Sequence, residues 1–102
     1  GLMPVRAGDL TYEHSRAFLD DVVLVDDDAI RQAASLLLTR RKLVVEYSGA
    51  ATVGALISGS LDARGRTVVA VLSGGNLDPS ILTDLAAVTS GEGVPGVSAR
   101  AG

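Results

Sequence analysis

The turn in this sequence best suited to hold a ligand is Ser73-Gly74-Gly75-Asn76. It ends the run Thr67-Val68-Val69-Ala70-Val71-Leu72, which is apolar, rich in β-branched residues and the strongest strand pattern in the chain. Glycines after a buried strand permit unusual backbone angles and the close approach of a ligand. A serine hydroxyl beside them can donate or accept a hydrogen bond. In an open α/β sheet, ligands sit outside the carboxyl ends of the strands. Two glycines can also simply turn the chain into the next helix, and the turn alone favours that plainer role.

Glu46 is the second chemical signal. It ends the apolar run Leu43-Val44-Val45 and precedes Tyr47-Ser48-Gly49-Ala50-Ala51. A carboxylate in that setting is expected to be partly buried, and a buried carboxylate needs a partner. The residues alone favour a local arginine, or capping of the next helix, as that partner. Lys42 is the only lysine. It closes the cationic group Arg40-Arg41-Lys42, where the plain reading is compensation of a helix dipole. His14 has no Cys, Asp or Glu at ligand spacing in a defined element and reads as a surface helix residue. Asp26-Asp27-Asp28 is acidic enough for a metal, but an N-cap followed by a favourable dipole end explains it better. No metal site is expected, and no catalytic residue is assigned.

These residues need elements to position them. Residues 1–10 read as a loop broken by Pro4 and Gly8. A short helix is predicted over 11–18, with Thr11 as N-cap. A buried strand is predicted over 22–25. Ile30, Ala33, Ala34, Leu37 and Leu38 then recur at the spacing of an amphipathic helix. Residues 43–45 form a short extended run. Small residues over 48–58 predict a tightly packed helix with Ser48 as N-cap. Asp78-Pro79 looks like an N-cap followed by proline at the first helical position, opening a helix to about Val88. Residues 89–102, rich in Gly, Ser and Pro, read as a flexible tail.

Composition bounds the answer. The 102 residues allow one domain at most. Apolar residues make up 47% and aromatics 3%, so Val, Leu, Ile and Ala must build the core, which suits a parallel sheet with packed helices. With a net charge of −3, no basic patch speaks for nucleic acid or an anionic membrane surface. No apolar stretch is long enough to span a bilayer. Without cysteine there is neither a disulfide framework nor a thiolate metal site, which fits a cytoplasmic protein. The opening Gly1-Leu2-Met3-Pro4-Val5-Arg6 reads like a cut through a longer protein.

Five segments, in order, resemble the threonine dehydratase and serine racemase group of fold-type II pyridoxal-phosphate (PLP) enzymes. Gly1-Leu2 is similar to the end of that group's Asp-Gly-Leu segment. Residues 4–13 resemble its Pro-Gly-x-Leu-Thr loop, and 20–30 its strand and acidic helix start. Residues 42–51 resemble Lys-Leu-Val-Val-Glu-Pro-Ser-Gly-Ala-Ala, and 69–78 resemble Val-x-Val-Leu-Ser-Gly-Gly-Asn-Ile-Asp. The turn also resembles the ABC-transporter signature, but no Walker A loop accompanies it.

The dehydratase resemblance implies an α/β fold: part of the large PLP-binding domain of the tryptophan synthase beta-like fold, with a small, mainly parallel sheet. Residues 1–88 would belong to that domain and 89–102 to its tail. It implies pyridoxal 5'-phosphate as cofactor. Ser73 would hydrogen-bond the pyridine nitrogen, with Glu46, Gly74 and Gly1 beside the ring. Lys42 and Asn76 would match an effector site found in some members. The reaction implied is β-elimination from L-threonine or L-serine, giving a 2-oxo acid and ammonia, in a homo-oligomeric parent enzyme. The Schiff-base lysine, the glycine-rich phosphate loop and the family's divalent-metal ligands fall upstream of Gly1, so the isolated chain is expected to be inactive. Tyr47 stands where the group usually has proline. Three other readings stay open: a racemase-type parent, a free-standing α/β module binding an anion or nucleotide at 73–76, and a degenerate piece without function.

Overall fold

The computed structural model describes Leu2 and residues 6–88. Four α-helices follow in order: α1 (Asp9–Phe18), α2 (Asp27–Arg41), α3 (Tyr47–Ile57) and α4 (Pro79–Ala87). Their starts follow from local chemistry. Asp26 caps α2, its carboxylate accepting the Ala29 N–H at 2.8 Å. Asp78 caps α4, accepting the Ser80 N–H at 3.0 Å, and Pro79 holds the first turn, where its missing N–H costs nothing. Two expected caps are corrected. Gly8, not Thr11, precedes α1, and Glu46, not Ser48, precedes α3. In both helices the first turn begins earlier than the polar residue the sequence favours.

The α2 stripe becomes the core. Ala33, Ala34 and Leu37 are buried against Val45, Ala50 of α3 and Leu85 of α4, with Leu38, Tyr47, Leu72 and Ile81 packed around them. Small residues decide how closely α2 and α3 approach. A Cβ on Gly54 would lie 3.3 Å from the Ile30 Cα and 3.2 Å from the Val25 Cγ1. The α2–α4 seam carries one buried polar contact: Ser35, fully buried, donates its hydroxyl to the Leu85 carbonyl at 2.6 Å. That carbonyl lies in the last turn of α4 and also accepts the Val88 N–H at 3.3 Å. By contrast, α1 buries no residue and packs against none of the other three helices.

The expected sheet is not found. Among the described residues no strand forms, and 22–25, 43–45 and 67–72 are extended without a hydrogen-bonded ladder. A strand exists only by pairing, and apolar β-branched composition supplies half of a pair. Nor are these runs buried on both faces: Val22 is 74% exposed, Leu24 91%, Val69 88% and Val71 68%. The one backbone hydrogen bond between two of the runs and their turns goes from the Glu46 N–H to the Gly74 carbonyl, at 3.1 Å. Beside it, the Val44 carbonyl lies 2.9 Å from where a Cβ on Gly75 would stand. The tail expected over 89–102 lies outside the described residues.

Candidate functional site

The site forms where two chain turns meet at the start of α3. The first leads from Val45, buried in the core, through Glu46 into the helix. The second is the Ser73 turn. Gly74 has φ = 73°, the left-handed region that glycine reaches without steric cost. The Glu46 carboxylate occupies the space where a Cβ on Gly74 would stand. The Ser73 carbonyl occupies the corresponding space at Gly49, one turn into α3. Gly49 thus lets one backbone lie directly on another, and Gly74 makes room for a side chain.

The partner expected for Glu46 differs from the one found. It sits at the N-cap of α3, yet its side chain caps no N–H. It pairs with no arginine among the described residues. Its carboxylate is turned across the Ser73 turn instead and is only half-buried, so water still solvates it. Ser73 is exposed, and its hydroxyl makes no hydrogen bond to any described residue. A free hydroxyl therefore stands on a turn whose backbone is held from both sides. That arrangement can present one neutral donor–acceptor group to a ligand atom.

Glu46, Ser73 and Gly74, named from the sequence, are therefore brought together. Gly1 lies outside the described residues. Lys42 and Asn76 are not joined by any hydrogen bond. Lys42 ends α2 in the left-handed conformation, with φ = 59°, and its Nζ donates to the Thr39 carbonyl at 2.7 Å. The plain reading of Lys42 as a helix-closing cation is what the geometry shows. Asn76 is exposed. Sequence reasoning missed Gly49 and Thr52, whose hydroxyl donates to the Val71 carbonyl at 2.9 Å. The available signal was spacing: 46, 49 and 52 fall three apart along one side of a helix.

Nearby, a cavity of about 450 Å³ opens where α2 and α3 begin, lined by Asp27, Asp28, Arg31, Tyr47 and Ser48 among others. Tyr47 thus faces the start of α2 and also packs on the core. No group of three or more acidic or histidine side chains among the described residues could hold a metal ion. No described helix is long and apolar enough to cross a membrane.

Residues 1–74 match the family described as pyridoxal-phosphate dependent enzyme, and the chain belongs to that family. Within it, the chain is similar to threonine dehydratases. It is 44% identical over 82 residues to "L-threonine dehydratase catabolic TdcB" of Escherichia coli (strain K12), covering 78% of this chain and 25% of that protein. It is 37% identical over 82 residues to "L-threonine ammonia-lyase" of Thermotoga maritima, covering 80% and 20%. It is 37% identical over 78 residues to "L-threonine dehydratase biosynthetic IlvA" of Staphylococcus aureus (strain NCTC 8325 / PS 47), covering 76% and 18%. The chain therefore spans a quarter or less of the length of these relatives. No solved structure matches it.

Proposed function

We propose that this chain is the part of a PLP-dependent, threonine dehydratase-like lyase that carries the ring-nitrogen contact, and that Ser73 makes that contact. The observation that carries the reading is the unpartnered Ser73 hydroxyl on a turn locked by Glu46 and Gly74. The residues fit the cofactor. An exposed hydroxyl offers the ring nitrogen a neutral partner. When bound, PLP supplies the electron sink that lets an amino acid lose its α-proton and β-hydroxyl. Ser73 holds the ring nitrogen without forcing a proton onto it, as an aspartate would. Glu46 lies against the turn at Gly74, beside the ring. Lys42 does not anchor the cofactor, because it closes α2. The covalent lysine and the phosphate loop are contributed by other parts of the enzyme.

The same reading makes the substrate a small hydroxy amino acid, threonine or serine. It makes the parent enzyme a cytoplasmic homo-oligomer. It places 22–25 and 67–72 in a mainly parallel sheet once further strands lie beside them. Support for these finer points comes from the family and from the apolar side chains those runs expose.

Substitution at Ser73 in the full-length enzyme tests the reading. Ser73→Ala loses one hydrogen bond, about 1 kcal/mol net, and should weaken PLP binding roughly fivefold. Ser73→Asp should be worse, since a carboxylate would face an unprotonated nitrogen lone pair. PLP affinity and kcat/KM for threonine are the measurements. Wild-type values in both variants would show that Ser73 does not meet the ring.

A further inference from the structure

We infer that Thr52 is a positioning residue for the Ser73 hydroxyl. It is the third point of a clamp that α3 places on residues 71–74. From the N-cap onward, Glu46, Gly49 and Thr52 occur at three-residue spacing, along one side of the helix. Each meets a different piece of the same backbone. The Glu46 N–H holds the Gly74 carbonyl at 3.1 Å. Gly49, having no side chain, admits the Ser73 carbonyl. The Thr52 hydroxyl holds the Val71 carbonyl at 2.9 Å. The two polar contacts bracket Ser73, one on each side.

Position 71 explains why a threonine is useful there. Among the described residues the Val71 carbonyl accepts from Thr52, on a rigid helix, and its second lone pair stays open to a neighbouring strand. With 71 and 74 both fixed, the peptide planes between them cannot swing, and the Cα–Cβ bond of Ser73 keeps one direction. Without Thr52, the turn is held at 73 and 74 but not before them, and the hydroxyl sweeps a wider arc. Thr52 touches no reacting group. It acts through Ser73, and the inference rests on Ser73 meeting the ring as proposed above.

The test uses the full-length enzyme that carries this segment. The variants are Thr52→Val, Thr52→Ser, Ser73→Ala and the Thr52→Val/Ser73→Ala double. Valine keeps the shape of threonine and removes the donor; serine keeps the donor and removes a methyl. Three quantities are read: PLP affinity, thermal midpoint of the apo enzyme, and amide exchange of Glu46, whose N–H reports the far end of the clamp. Thr52→Val should weaken PLP about two- to fivefold and speed Glu46 exchange, and Thr52→Ser should restore both. The double variant should bind PLP no worse than Ser73→Ala alone, because both changes remove one contact. Wild-type PLP affinity in Thr52→Val, with Ser73→Ala weakened, would overturn the inference and leave the Ser73 reading standing. Wild-type affinity in Ser73→Ala would overturn both, and would place the fault in the Ser73 reading. Loss of PLP that follows a fall in thermal midpoint, without rescue by serine, would also overturn it.

Discussion

Gly74 shows how much one missing side chain can decide. Its left-handed φ costs any L-residue about 1–2 kcal/mol, and the Glu46 carboxylate already fills the space a Cβ would take. Gly65 provides the control. It has φ = 72°, but nothing lies within 4 Å of its missing Cβ. Gly65→Ala should therefore cost only the backbone term. Gly74→Ala should cost clearly more and should also displace Glu46. Thermal midpoints of the two variants check this, and equal losses would mean that Glu46 does not press on the turn. Part of this was legible beforehand. Two glycines after a strand-like run announce a special turn, and a glutamate ending an apolar run announces a need for a partner. The partner itself was not legible. The carboxylate lies half-buried over a glycine twenty-eight positions away, and such a packing contact leaves no mark in the local sequence, whereas an arginine or a helix cap would.

At the scale of elements, the helices were written plainly and the strands were not. Helix caps, stripes and end charges are local, so Asp26, Asp78-Pro79 and the stripe from Ile30 could be read within a few residues. Strand pairing depends on a second chain segment, and the runs over 22–25 and 67–72 have none beside them in a ladder. The α2–α4 seam gives a graded test. Leu85→Ala empties a fully buried site and should cost about 2–5 kcal/mol. Ser35→Ala removes the shorter of the two hydrogen bonds to the Leu85 carbonyl, leaving that from the Val88 N–H, and should cost about 1 kcal/mol. Denaturant midpoints would show the order, and a larger loss for Ser35→Ala would mean that the seam is held by its hydrogen bond. The α4 cap has a pH dependence. The Ser80 backbone N–H, and then its hydroxyl, hold the Asp78 carboxyl below its ordinary value. Its folded pKa is depressed, so its stabilisation is present above the ordinary aspartate pKa near 3.9 and is lost as pH falls through the lower folded value. Asp78→Asn should flatten that acid limb of the stability curve. An unchanged slope would show that the cap does not titrate with folding.

Over the whole molecule, the apolar residues divide unevenly. The α2–α3–α4 core is tight, while Val22, Leu24, Val69 and Val71 remain largely exposed on unpaired extended chain. Such edges invite pairing with other chains, and exposed apolar surface invites association. Purified alone, the 102-residue chain should self-associate at micromolar concentration and melt broadly. Sedimentation velocity and calorimetry decide it. A monomer with one sharp transition would favour a free-standing module over a portion of a larger sheet. The detachment of α1 has a separate consequence. Ten residues of helix that bury no side chain and touch no other described helix are marginal in water, so this segment should open and close independently of the rest. A protease needs an opened segment to cut. In a brief tryptic digest, cleavage after Arg16 in α1 should run well ahead of cleavage after Arg31, which sits in the helix at the centre of the core. The order of fragments would then map, bond by bond, where this chain is held and where it hangs free.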